Sequence, residues 1–132
     1  LPFRDASVDG VLASHILEHL SSPIAFLEEV HRVLKPGGIL VIGLPIEGGL
    51  AGPWINYFKG HRGSHGHLYS FSPDNLDELL TLSGFRVEKY FFHIVRIGYK
   101  KRLAALHDLL QHLPIGFLYK ISSAYWAVAV RL

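Results

Sequence analysis

The spacing of apolar and polar positions near the start of the chain predicts a strand, a helix and a second strand. Val8 to Ala13 is a short, mostly apolar run, the pattern of a strand buried on both faces. Ser22-Pro23 then supplies a helix cap followed by a proline at the first helical position, where its missing N–H costs nothing. Phe26, Leu27, Val30, Val33 and Leu34 fall on one helical stripe, with Glu28, Glu29, His31 and Arg32 on the other. Glu28 and Arg32 stand at i,i+4, a favourable ion pair, and the early glutamates and late Lys35 suit the helix dipole. Lys35-Pro36-Gly37-Gly38 reads as the helix stop, with a glycine in the left-handed cap. Ile39–Leu44 is the second buried strand. Such a unit, with short links, is a right-handed βαβ crossover of a parallel sheet.

Further along, residues 45–71 read as a lid-like loop, too long and aromatic for an ordinary connection. It carries Trp54, Tyr57, Phe58, His61, His65, His67 and Tyr69. Ser72-Pro73-Asp74 restarts a helix whose buried stripe is Leu76, Leu79, Leu80 and Leu82, closed by Gly84. Phe85–Ile94 is predicted as a third strand, in a loosely alternating run that reaches Ile97. Residues 98–123 read as a helical insertion. It starts at Lys100, Lys101 and Arg102, carries Leu103, Leu106, Leu109, Leu110 and Leu113, and is ended by Pro114 and Gly116. Its basic start beside an apolar stripe admits peripheral membrane contact or an acidic partner, against ordinary packing on the sheet. Tyr125–Arg131 is a last buried strand, expected between the second and third.

Composition narrows the classes. One hundred and thirty-two residues suffice for one domain with a real core. A net charge of +2, with scattered basic residues, argues against nucleic acid as a partner. The absence of cysteine removes disulfides and thiolate chemistry and fits a cytoplasmic protein. No apolar run reaches membrane-spanning length and no signal peptide is visible, so no transmembrane segment is expected. A chain without methionine is expected to be a piece of something longer.

The segments Leu1-Pro2-Phe3, Val8-Asp9, Leu17-Glu18-His19 and Arg32-Val33-Leu34-Lys35-Pro36-Gly37-Gly38 resemble, in order and spacing, a class I S-adenosylmethionine-dependent methyltransferase. The run His67 to Ser72, the leucine-rich helix and Ser83-Gly84-Phe85 fit the same family. The resemblance implies an α/β, Rossmann-like fold of which this chain is the C-terminal half, a mostly parallel sheet with an antiparallel last strand. It also implies S-adenosylmethionine as cofactor. Leu1 and Pro2 would run beside the adenine, and Ala13, Ser14 and His15 would lie against the methionine and sulfonium end. In open α/β sheets ligands bind beyond the carboxyl ends of the strands, where Ser14 to His19 sits.

His15 and His19 are four apart, a spacing that on a helical turn shares one face and serves either a proton acceptor or a metal. Packing of His19 against the following helix is the plainer alternative. His67 matches a family histidine expected to brace the lid. His15, His19 and His67 are therefore the candidate catalytic residues. No metal is expected at His61, His65 and His67, since no cysteine or carboxylate lies among them. The family's glycine-rich turn and ribose-binding carboxylate have no counterpart here, because Gly48-Gly49 and Gly52 lack a strand-turn-helix context. Half of the cofactor site is thus expected to be absent, and methyl transfer to a small-molecule or lipid-like acceptor is expected of a parent protein. The alternative is a non-catalytic regulatory or scaffolding remnant of the fold. The edge of Val8–Ala13 is expected to lack its neighbour, so that the 132 residues alone would self-associate across it or exchange elements, whereas upstream residues, where they exist, would cover it.

Overall fold

The computed structural model describes residues 1–46, 67–94, 110 and 112–132. Its elements are β1 (Val8–Ser14), a 3₁₀ turn (Leu17–His19), α1 (Pro23–Val33) and β2 (Leu34–Pro45), followed by α2 (Pro73–Leu82), β3 (Phe85–Ile94), α3 (Ile115–Ile121) and β4 (Ser122–Arg131). The strands form one mixed sheet in the order β1-β2-β4-β3. β1 and β2 run parallel, and β4 lies antiparallel between β2 and β3. The buried C-terminal run is therefore an interior strand, as its apolar pattern requires.

Both helices begin where the Ser-Pro pairs place them. The Ser22 hydroxyl accepts the Ala25 N–H at 3.3 Å and the Ser72 hydroxyl accepts that of Asn75 at 3.3 Å, each with proline opening the helix. Leu27, Val30 and Val33 of α1, and Leu76 and Leu80 of α2, are buried in one core with Leu40, Ile42, Leu44, Phe85, Phe92 and Tyr125 of the sheet. Leu82 is the exception on its stripe, 78% exposed at the last turn of α2.

Four sequence expectations need correction. α1 ends at Val33, before the Lys35-Pro36-Gly37-Gly38 stop, and Leu34 is already extended and fully buried. Val8 lies opposite Leu34 and Gly10 opposite Ile39, so Lys35 to Gly38 bulge out of the β1–β2 ladder, with Gly37 at φ 75°. Lys35 Nζ reaches Asp9 Oδ1 at 2.7 Å beside the bulge. Second, β1 is not buried on both faces: Ala13 is buried, but Leu12 is 67% exposed. It is an edge strand among the described residues.

Third, Arg32 does not pair with Glu28. Its guanidinium binds Glu29 at 2.7 and 2.8 Å and Asp5, and donates to the backbone carbonyl of Phe3 at 2.9 Å. Tertiary partners outside the helix thus select the rotamer that faces residues 1–5, and Asp5 is paired rather than merely solvated. Arg32 holds the Glu29 carboxyl down at about 2. Fourth, the chain does leave helix before Pro114, with Leu110 helical and residues 112–114 not, but Pro114 and Gly116 also belong to the start of a further helix. Pro114 is the N-cap of α3, its carbonyl accepting the N–H groups of Phe117 and Leu118 at 2.9 and 3.0 Å. Proline next to a helix start sacrifices no hydrogen bond, so the same residue reads as stop or start. Of residues 98–123, Ser122 and Ser123 belong to β4; residues 98–109 and 111 lie outside the described residues.

Gly84 shows why the α2–β3 turn requires glycine. Its φ is +83°, and an added Cβ would stand 2.9 Å from Nε2 of His31. The turn therefore brings β3 directly under the end of α1, where His31 meets the Phe85 ring edge-on at 5.5 Å. Burial, and then Arg131, lower the His31 pKa from its ordinary value.

Candidate active site

The site is built at the carboxyl end of β1. Ala13 is buried, while Ser14 and His15 emerge from the sheet exposed. His15 takes φ 51°, a left-handed conformation uncommon outside glycine. Its N–H donates to the Gly43 carbonyl of β2 at 2.9 Å, so the last ladder bond is made while the chain turns away. Gly43 is necessarily side-chain-free: a Cβ there would lie 2.6 Å from the Trp126 ring of β4. That ring in turn meets the His15 imidazole edge-on at 6.4 Å. Three neighbouring strands thereby fix the place of one histidine.

Behind His15 lies a group that sequence reasoning did not single out as a site residue. Glu18 is 1% exposed, and neither carboxylate oxygen has a hydrogen-bond partner among the described residues. His15 Nδ1 stands 3.4 Å from Glu18 Oε1, at ion-pair range without hydrogen-bond geometry. A buried carboxylate so poorly compensated costs folding free energy. The signal in the sequence was a glutamate flanked by histidines at i−3 and i+1 in a strand-end turn; the 3₁₀ turn points Glu18 inward.

The described end of the long loop closes over this turn. The N–H groups of Leu68 and Tyr69 donate to the Glu18 carbonyl at 2.7 and 3.3 Å, and the Tyr69 hydroxyl donates to the Ser21 carbonyl at 3.3 Å. His67 is thereby brought to His19, ring centroids 4.7 Å apart. One ligand atom from each of Glu18, His19 and His67 lies within 4.8 Å of the others. So His15 pairs with Glu18, and His19 meets His67. His61, His65, Trp54, Tyr57 and Phe58 lie outside the described residues.

Leu1, Pro2 and Phe3 form an irregular exposed segment, Leu1 50% and Phe3 52% exposed, held by Arg32 through the carbonyls of Leu1 and Phe3. A concavity of about 580 Å³ lies elsewhere, lined by Asp74, Asp77, Tyr90 and Tyr119 among others. Burial, followed by Asp77 and Asp74, pushes the Tyr90 phenol up to about 12. No helix among the described residues is long and apolar enough to cross a membrane.

Comparison with known proteins points the same way as the strand-end geometry. A family described as a methyltransferase domain matches residues 1–42. The chain is 36% identical over 90 residues to a Mycolicibacterium smegmatis protein named as a probable S-adenosylmethionine-dependent methyltransferase, covering 67% of this chain and 32% of that one. It is 39% identical over 62 residues to an uncharacterised methyltransferase of Mycolicibacterium gilvum, covering 47% of this chain and 22% of the relative. The chain thus spans a third or less of these curated relatives. Among solved structures, a SAM-dependent methyltransferase of Archaeoglobus fulgidus superposes with TM-score 0.62 at 23% identity, over 98% of this chain and 62% of that one. One from Mesorhizobium loti gives 0.63 at 16%, over 99% and 65%. At these identities the structures establish the fold.

Proposed function

We propose that this chain is part of a class I S-adenosylmethionine-dependent methyltransferase and supplies one wall of the methyl-transfer site, with the acceptor-side histidines. The observation that carries the proposal is the end of β1. Ser14 and His15 stand exposed there, with His15 anchored to Gly43 and turned at φ 51°. That is where an open α/β sheet presents its ligands. The residues present fit part of the cofactor. The exposed Leu1-Pro2-Phe3 segment offers apolar surface to a flat ring, and Ala13, Ser14 and His15 form the strand mouth against which the methionine end would lie.

When bound, S-adenosylmethionine supplies a methyl group activated on a sulfonium. The protein's work is then alignment and exclusion of water. Ser14 and His15 position one side, and Arg32 holds the Leu1–Phe3 segment in place. Where the acceptor must lose a proton, His15 is the best-placed group: Glu18 Oε1 stands 3.4 Å from its Nδ1, leaving Nε2 to take the proton. His19 and His67 are further candidates on the acceptor side. The acceptor class we favour is a small, partly apolar molecule, in the cytoplasm.

The open side of β1 supports a second element of the proposal. With Leu12 67% exposed and, among the described residues, no strand pairing with β1 other than β2, this edge is suited to accept another strand, from the same polypeptide or from a second copy.

Calorimetric titration of the 132-residue chain with S-adenosylhomocysteine tests the division of labour. We expect saturable binding weaker than micromolar, less than about 8 kcal/mol, because the glycine-rich turn and ribose carboxylate have no counterpart in these residues. Micromolar affinity would show that one wall suffices.

A further inference from the structure

We propose that Glu18, His19 and His67 form a binding site for one divalent transition-metal ion of the zinc class. The donors are two imidazoles and a carboxylate, a set that suits zinc and its neighbours better than the oxygen-preferring Mg²⁺ or Ca²⁺. Their ligand atoms already lie within 4.8 Å of one another. Tetrahedral ligands at zinc distances stand about 3.3 Å apart, so modest rotations of the two imidazoles close the gap.

The buried carboxylate points independently to a cation. Glu18 is 1% exposed, both its oxygens lack hydrogen-bond partners among the described residues, and His15 Nδ1 stands 3.4 Å from one of them. A bound cation would directly offset the cost of burying this carboxylate. The scaffold is prepared as well. The Glu18 carbonyl receives the N–H groups of Leu68 and Tyr69, which laces the segment carrying His67 to the turn carrying Glu18 and His19. His15, 3.4 Å behind the carboxylate, is placed as the outer partner that orients a ligating group. His19 is exposed, so an ion has a path in, and three protein ligands leave a position open to solvent or substrate. The site stands on these contacts whether or not the chain takes part in methyl transfer.

The test is calorimetric titration of the chelator-treated chain with Zn²⁺, repeated with Co²⁺ followed by its visible absorption. One equivalent is expected to bind at micromolar or lower concentration. Glu18→Gln and His67→Ala are expected to weaken binding about 100-fold, and His15→Ala about tenfold. Nine histidines can scavenge metal nonspecifically, so His93→Ala, outside the cluster, serves as control and should change nothing. Circular dichroism checks each fold. Should Glu18→Gln fail to fold, His19→Ala, at an exposed position, gives the same readout and is expected to lose about 100-fold. Absence of saturable binding in the parent chain would overturn the proposal. So would equal affinity in His19→Ala and the parent, which would leave the cluster a metal-free packing of histidines around a carboxylate.

Discussion

Replacing Tyr125 with alanine is expected to destabilise the fold by about 3–5 kcal/mol, the largest effect of any single substitution considered. Tyr125 is completely buried near the start of β4, the strand that pairs on both sides. Its ring stacks on Phe92 at 6.0 Å and meets Tyr119 edge-on at 6.1 Å, with Tyr90 also at 6.1 Å. The hydroxyl donates to the Phe71 carbonyl at 3.0 Å, which ties the end of the long loop to the sheet. Burial raises its phenol pKa well above the usual range, with Tyr119, Tyr90 and Glu18 adding to the shift. The ring therefore carries both aromatic packing and a tether for the loop. Tyr125→Phe keeps the ring and strands the carbonyl, and should cost about 1–3 kcal/mol. Urea denaturation of the two variants checks the ordering; equal losses would mean that the hydroxyl, rather than the ring, holds the core.

The second large effect runs in the opposite direction. Glu18→Leu is expected to stabilise the metal-free chain by about 1–3 kcal/mol, since an apolar side chain of similar size replaces a buried carboxylate without hydrogen bonds. The backbone bonds from Leu68 and Tyr69 to residue 18 do not depend on its side chain. A residue that lowers stability where it sits is accounted for by function rather than by folding. The comparison of melting temperatures with and without added Zn²⁺ is informative. The parent should gain from the metal and the variant should not. A less stable Glu18→Leu would show that the pairing with His15 is worth more than the buried charge costs.

Much of this fold was legible because local and tertiary signals agree. Ser22-Pro23 and Ser72-Pro73 start helices in the sequence and in the structure, since the cap needs only residues within one turn. Tyr125–Arg131 could be placed inside the sheet because an uninterrupted apolar run has to be covered on both faces. What escaped the sequence depends on partners far along the chain. Lys35 to Gly38 stop α1 in the sense that they cannot be helical, yet their fate as a bulge is decided by the register against Val8 and Gly10. Arg32 turns from Glu28 to Glu29, Asp5 and the Phe3 carbonyl because residues 1–5 pass beside that side of α1. Pro114 is compatible with either end of a helix.

The candidate site divides in the same way. Ser14 and His15 were readable from the rule that ligands gather beyond strand ends, and His67 from the resemblance. Their grouping was not. Four-residue spacing linked His15 to His19 on an assumed α-helical face, whereas the short 3₁₀ turn at Leu17–His19 couples His15 to Glu18 and sends His19 to His67. Glu18 was hidden because a lone glutamate in a strand-end turn reads as solvated, and only the closure of Leu68 and Tyr69 over the turn shows it is enclosed.

The central claim, that the carboxyl end of β1 is a cofactor wall, is tested most directly by recording backbone amide shifts of the isotope-labelled chain during titration with S-adenosylhomocysteine at up to millimolar concentration. The expected result is saturable movement of the Ala13, Ser14, His15 and Phe3 amides, with those of α2 and β3 unmoved. Movement confined to other elements, or no movement at any amide of residues 1–19, would contradict the account.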